Sequence, residues 1–208
     1  MKTRIVSADS PTAIQQALEV LNKGGLVAFP TDTVYGVSAL VFDGPAVESV
    51  YLAKDRPIEK AIPVLIGDAE AMEKVGMNIP KIAYSLAARF WPGPLTVVIP
   101  KKPTLPESVS ATATVGVRVP DHEVARTLLR TAGPLAVTSA NISGQPSPST
   151  AEEVFAQLGG RIDLIIDGGK TPGGIPSTVL DCTESELKIL RAGPISLEEI
   201  RIKLSSPA

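Results

Sequence analysis

The chain is poor in several residue types on which active sites and targeting signals depend. Its 208 residues include one cysteine, Cys182, and one histidine, His122. A lone cysteine excludes an intrachain disulfide and suits a reducing compartment. With one residue of each kind, a zinc site built from Cys and His is excluded too, whereas an all-carboxylate metal site is not. A Ser-His-Asp triad would have to use His122. That residue lies in Val119-Pro120-Asp121-His122-Glu123, which reads as the opening of a helix, so His122 reads as structural. A basic excess is also missing: 20 Lys and Arg stand against 22 Asp and Glu, a formal net charge of −2. Proteins that grip nucleic acid by counterion release carry a positive surplus, so here only a local basic concavity inside a neutral average would serve. The N-terminus has no apolar signal core, because Asp9 interrupts it. No stretch approaches the length of a membrane span. The expectation is a soluble cytoplasmic protein with no membrane association.

Two nucleotide-binding signatures are absent as well. No G-x-G-x-x-G follows the first strand, so a dinucleotide-binding half-domain has no support. Gly169-Lys170-Thr171 resembles the tail of a phosphate-binding P-loop, but that motif needs a glycine where Leu164 stands. Pro172-Gly173-Gly174 then follows where a helix should begin. Any use of ATP must rest on another architecture.

What is present is apolar material, at 44% of the residues, with 20% charged. That suffices for one sizeable core and argues against disorder. With no internal repeat and no linker, residues 1–208 are expected to form one domain. Ser10 and Pro11 read as the cap and first turn of a helix carrying Ile14, Ala17, Leu18 and Leu21, ended at Gly24-Gly25. Strands are expected at 26–29, 37–42, 62–66, 95–99, 115–119, 135–137, 164–166, 178–180 and 187–190. Helices are expected after Asp43-Gly44-Pro45, over 81–90, from Glu123 to about Thr131, after a Thr150/Glu153 capping box, and after a Ser196/Glu199 box to Leu204. The alternation favours an α/β fold with a twisted mixed sheet flanked by helices.

Polar, small or basic residues gather at strand ends, where α/β proteins place ligands. Phe29 to Gly36 crowds Thr31, Asp32, Thr33 and Tyr35 at a strand exit, and also reads as a capped polar turn. Lys54-Asp55-Arg56-Pro57 ends a helix. Its cations suit the helix dipole, or else form a polyphosphate clamp of a point charge and a planar fork. Val137 to Gly144 opens a strand into Thr138, Ser139, Asn141 and Ser143, a cradle for phosphate or ribose or simply a Ser-rich loop. Pro176-Ser177-Thr178-Val179 and Leu190-Arg191-Ala192-Gly193-Pro194 form a split fourth site. Arg118, within an apolar strand, demands a partner. A substrate carboxylate and a protein Asp or Glu both qualify.

In order and spacing, PTDTVYGV at 30–37, KDRP at 54–57, WPGPLTVV at 91–98, VRVP at 117–120, TSANISG at 138–144, PSTV at 176–179 and LRAGP at 190–194 resemble the YrdC-like family. The resemblance covers about Gly24 to Pro194. It departs where some longer members carry a histidine after the basic motif, and at Pro176, where an acidic residue is common. Longer members also carry a second, C-terminal domain, which this chain is expected to lack. The resemblance implies a fold with an open basic concavity. It also implies an L-threonylcarbamoyladenylate synthase, which makes threonylcarbamoyl-AMP and pyrophosphate from ATP, L-threonine and bicarbonate or CO2. That product serves threonylcarbamoyladenosine formation in tRNA. The implied ATP contacts are Lys54, Arg56, Thr114, Ser139, Asn141, Ser147 and Arg191, with Mg2+ sharing the phosphate load and no protein metal site. The implied threonine contacts are Thr31, Arg118, Ser139 and Ser177. Lys54 and Arg56 carry catalysis as the triphosphate clamp, and alanine at either is expected to cut turnover with the fold intact. The product is expected to pass to a tRNA threonylcarbamoyl transferase complex, with weak RNA contact. Rival readings are a paralogue with another substrate, a non-catalytic RNA-binding protein, and a carbamoyl-adenylate domain of the hydrogenase-maturation kind.

Overall fold

The computed structural model describes residues 2–172, 174–184 and 186–205; the expected domain thus has Met1, Gly173, Ser185 and 206–208 outside the described residues. Strands β1 (Arg4–Ser7), β2 (Val27–Phe29), β3 (Gly36–Leu40), β4 (Val64–Leu65), β5 (Leu95–Pro100), β6 (Thr114–Arg118), β7 (Leu135–Ser139), β8 (Leu164–Asp167), β9 (Thr178–Asp181) and β10 (Lys188–Arg191) form one sheet. Their order is β1-β8-β2-β3-β7-β4-β6-β5-β9-β10. The pairs β1/β8, β2/β8, β4/β6 and β5/β9 are parallel and the rest antiparallel, so the sheet is mixed.

Helices cover the two faces unequally. On one face α1 (Ala13–Leu21) and α5 (Glu123–Ala132) bury Ala17, Leu21, Ala125, Leu128 and Leu129 against Val27, Phe29, Leu135, Val137, Leu164 and Ile166. Each fully buried leucine contributes about 2 kcal/mol of transfer free energy. On the other face α2 (Gly44–Lys54), α4 (Lys81–Phe90), α6 (Ala151–Leu158) and α7 (Leu197–Ser205) enclose a larger core that includes Val50, Tyr51, Leu86, Phe90, Val154 and Ile200. The first face is therefore helix-covered over β1, β8, β2, β3 and β7. Over β6, β5, β9 and β10 it carries no described helix, and there the sheet is free to form a cavity wall. No helix among the described residues is long and apolar enough to cross a membrane.

Several local expectations are revised. The first helix starts at Ala13 with Thr12 at its cap and no side-chain cap bond. Ser10 instead closes a turn, its carbonyl accepting from the Ala13 amide at 3.0 Å. The strand expected over 37–42 stops at Leu40, where the Asp43 amide bonds back to the Leu40 carbonyl at 3.1 Å. The strand expected over 62–66 narrows to Val64–Leu65, because Pro63 lacks an amide hydrogen for the ladder. Thr150 accepts from the Glu153 amide at 3.3 Å, but the Glu153 carboxylate returns to Ser149, at 2.7 Å from its amide, rather than closing the box on Thr150. Strand β1 and the short helix α3 (Met72–Val75) carried no periodic signal of useful length.

Candidate active site

The uncovered half of the sheet holds a cavity of about 520 Å³. Strand alternation builds its floor. On β6, Thr114, Gly116 and Arg118 face the cavity, while Val117 turns into the core and Val115, also a core residue, touches the cavity at its edge. On β5, Thr96 and Val98 face the cavity, while Val97 and Ile99 do not. The lining contains the three arginines Arg56, Arg118 and Arg191, many hydroxyls, and no Asp or Glu.

The three cations are held differently. Arg118 is 5% exposed. Its Nη2 donates to Asp32, its Nε to the Gly93 carbonyl at 2.9 Å and its Nη1 to Thr33 Oγ1 at 3.2 Å. Two of its five N–H groups remain for a ligand. The protein partner that a buried Arg118 requires is therefore Asp32. Burial lowers the Arg118 pKa and the Asp32 charge opposes that. Arg56 donates only to neutral groups, the carbonyls of Lys60 at 3.2 Å and Ala61 at 3.0 Å. Arg191 likewise binds Ser177, its Nε and Nη2 reaching the carbonyl at 3.1 and 2.8 Å and Nη2 also reaching Oγ at 3.1 Å. Burial and then the Arg56 charge lower the Arg191 pKa. A guanidinium stays protonated regardless, so Arg56 and Arg191 repel one another across the cavity.

A bulge aims Arg191. In the β9/β10 ladder Ile189 pairs with Leu180 and Arg191 with Val179, with an irregularity between. The extra residue, Leu190, lets Arg191 stand beside cavity-facing Val179 instead of one step further along. Gly193 allows the turn beyond to close. A Cβ there would lie 2.6 Å from the Ser177 carbonyl carbon and 2.7 Å from the Pro176 oxygen.

Lys54 and Arg56 part company although only Asp55 separates them. Lys54 belongs to the buried face of α2 with Val47, Val50 and Tyr51. Asp55, left-handed at φ 50°, then ends the helix and sends Arg56 to the cavity. Lys54 is 1% exposed and lies outside the lining. Its Nζ donates to the Ser139 carbonyl at 2.5 Å and to the Asn141 carbonyl. Burial, then the Arg56 charge, lowers its pKa to about 7. A neutral amine still has two hydrogens for those two carbonyls. Lys54 thus ties the C-terminus of α2 beneath the loop after β7.

Of the residues expected from the sequence, Thr31, Arg56, Thr114, Arg118, Ser139, Ser177 and Arg191 line the one cavity, while Lys54, Asn141 and Ser147 do not. The Thr31 hydroxyl is occupied in its own turn, donating to the Val34 carbonyl at 2.7 Å and accepting from the Thr33 amide at 3.2 Å. Asn141 sends Nδ2 to the carbonyls of Ile142 and Gln145, both at 2.8 Å, while its buried Oδ1 has no partner among the described residues. Tyr35 lies outside the lining too. Its hydroxyl donates to the Gly169 carbonyl at 2.7 Å and burial pushes its pKa up to about 12. His122 is half-buried at the start of α5. The sequence reading missed Thr96, Ser110 and Thr112, all in the lining, and Thr33 of the 29–36 segment lines it too. The alternating hydroxyls of Ser108-Val109-Ser110-Ala111-Thr112-Ala113-Thr114 were a usable signal, since period two puts them on one side of an extended segment.

Comparison with known proteins places this geometry. The family profile Sua5_yciO_yrdC, described as telomere recombination, matches residues 19–193. A threonylcarbamoyl-AMP synthase of Pyrococcus abyssi is 45% identical over 189 residues, which are 90% of this chain and 56% of that protein. A threonylcarbamoyl-AMP synthase of Bacillus subtilis is 44% identical over 190 residues, 90% of this chain and 55% of that protein. This chain thus spans little more than half the length of those two relatives. The crystal structure of P. abyssi Sua5 complexed with L-threonine superposes with a TM-score of 0.93 at 41% identity, covering 99% of this chain and 61% of that one.

Proposed function

From the premise that this chain belongs to the Sua5/YciO/YrdC family, we propose that it forms threonylcarbamoyl-AMP and pyrophosphate from L-threonine, bicarbonate or CO2, and ATP. The observation that carries the proposal is the division of charge in the cavity. Arg118 is neutralised by Asp32, whereas among the described residues Arg56 and Arg191 have only neutral partners. A zwitterionic amino acid suits the balanced end and a triphosphate suits the net-positive end. The activity for which those relatives are named and the threonine complex of the Pyrococcus protein support the same assignment.

In this reading the threonine carboxylate takes the two free N–H groups of Arg118, with Ser177 beside it. Threonine, as its ammonium form, and bicarbonate yield the carbamate, water and a proton. A carbamate oxygen then attacks the α-phosphorus of ATP, and the bond to pyrophosphate breaks. Arg56 and Arg191 meet the charge that grows on the phosphoryl and leaving oxygens. Thr114 and Ser139 line the nucleotide path. Lys54 serves by holding the Ser139 and Asn141 carbonyls from below, with Ser147 in the loop beyond.

Mg2+ is the usual companion of ATP. The lining offers it no carboxylate, and no group of three metal-ligating side chains occurs among the described residues. Protein ligation of a metal does not fit this site. The product is a mixed anhydride, which suits prompt transfer to an enzyme that modifies tRNA, with weak RNA contact by this chain and a cytoplasmic location. Residues lining the cavity run from Thr31 to Arg191, so the proposal treats the chain as one functional domain.

The test is pyrophosphate release from ATP and bicarbonate with and without L-threonine, with mass spectrometry of the nucleotide product. Threonine-dependent release of an adenylated threonylcarbamoyl species is expected. Release that ignores threonine, or none from folded protein, refutes the assignment.

A further inference from the structure

Thr96 lies on the cavity face of β5 and is 1% exposed. Among the described residues its hydroxyl has one polar partner, Ser177 Oγ at 2.8 Å. Val97 pairs with Val117 in the antiparallel ladder of β5 and β6, so Thr96 stands level with Arg118 on the neighbouring strand. It sits between the Arg118 strand and Ser177. Its rotamer is held as well. A Cβ on Gly116 would lie 3.0 Å from Thr96 Cγ2, so the bare glycine admits the methyl on that side and leaves the hydroxyl turned toward Ser177.

Counting hydrogens gives the pair a direction. Two hydroxyls bring two hydrogens and share one bond, so one hydrogen is left over with no described protein acceptor. Thr96 is the deeper residue, 1% exposed against 5% for Ser177, and a buried donor without an acceptor is disfavoured. Thr96 therefore donates to Ser177 Oγ. The second lone pair of that oxygen is taken by Arg191 Nη2 at 3.1 Å. Both acceptor sites of Ser177 are then filled, and its own hydrogen is turned into the cavity.

We propose that Thr96 is a positioning residue: it fixes the Ser177 hydroxyl as a pure hydrogen-bond donor aimed at an anionic oxygen of the amino-acid substrate. The proposal rests on reading this end of the cavity as the threonine site. Arg118 supplies charge there, and the Thr96–Ser177 pair supplies a donor that cannot turn round to accept.

The experiment uses the full chain and three variants, Thr96→Val, Thr96→Ser and Ser177→Ala, with calorimetric L-threonine binding and steady-state pyrophosphate release. Thr96→Val keeps the shape and loses the hydroxyl, and it is expected to weaken threonine binding and raise its KM about three- to tenfold with kcat little changed. Thr96→Ser keeps the hydroxyl and loses the methyl, and it is expected to stay near wild type. Ser177→Ala is expected to weaken threonine more than Thr96→Val does. Wild-type affinity in Thr96→Val overturns the proposal, as does equal impairment in Thr96→Ser, which would mark the methyl packing as the sole role. An unaffected Ser177→Ala overturns it too. A wild-type chain that does not take up threonine refutes the parent reading, and the proposal falls with it. Should the valine variant fail to fold, Thr96→Ala replaces it with the same expected rise in KM, and absence of that rise is equally fatal.

Discussion

Arg118 and Arg191 face the same cavity from two strands, yet they are held in opposite ways. Arg118 is an ion pair with Asp32, at side-chain exposures of 6% and 12%. Arg191, like Arg56, rests on backbone and hydroxyl oxygens, with no carboxylate partner among the described residues. A buried guanidinium needs an anion to be tolerated. At the rim, solvent lowers that cost, and the charge can be left open for a ligand. One end of the cavity is thus electrically finished by the protein, and the other is finished only by what binds.

The sharpest way to break this contrast is to remove the neutralising carboxylate. Asp32→Asn leaves Arg118 buried without an anion, and the expected loss is about 3–5 kcal/mol of folding stability. It is read as a lower urea midpoint at unchanged slope. Adding Arg118→Met to that variant should restore much of the stability, because an apolar replacement of a buried pair is often neutral, while leaving threonine unbound. A midpoint unmoved by Asp32→Asn contradicts the picture.

At the open end the effect should fall on nucleotide use instead. Arg56→Ala and Arg191→Ala are each expected to lower kcat/KM for ATP about a hundredfold. Arg56→Ala should affect threonine affinity far less, whereas Arg191→Ala also frees a lone pair of Ser177 Oγ and should weaken threonine modestly. Equal losses toward both substrates would erase the division of charge.

Lys54 belongs to neither end. Lys54→Met withdraws both donors from the Ser139 and Asn141 carbonyls, and the expected stability loss is about 1–3 kcal/mol, alongside slower turnover. The sequence alone suggested that alanine there would leave the fold intact. Its burial and its two carbonyl partners make an effect on the fold the expected outcome.

A pH trend tests the burial of Lys54 independently. The Lys54 pKa falls from an ordinary 10.5 to about 7 in the folded chain. Between those values the unfolded chain binds the extra proton, so stability rises with pH across that window and the gain is absent below about pH 7. Denaturation of wild type and Lys54→Met from pH 7 to 10 should show wild type gaining on the variant. Parallel profiles would mean that the amine is not desolvated.

Much of this was legible in the chain. Segments such as 30–37, 138–144 and 176–179 mark strand ends by their hydroxyls and glycines, and alternation in Val115-Gly116-Val117-Arg118 already assigns Arg118 to the side opposite the core valines. Seven of the expected side chains meet in one cavity. Other features were not readable from spacing. Lys54 and Arg56 look like one clamp in sequence, but a left-handed Asp55 separates their directions. Thr96 looks like one more β-former inside an apolar run.

The amino-acid order by itself determined which residues are apolar at period two or 3.6. It thereby determined most of the longer strands and helices and the face their side chains take, because those are local properties of the backbone, whereas β1 and α3 left no such trace. It also determined that only His122 and Cys182 represent their kinds, and so which chemistries are closed. The tertiary structure alone decided that Asp32 neutralises Arg118, 86 residues away, and that Thr96 meets Ser177 across 81. It also decided that the β10 bulge turns Arg191 beside Val179. Those outcomes depend on strand order and register, which are set by how the whole sheet packs and not by any run of neighbours.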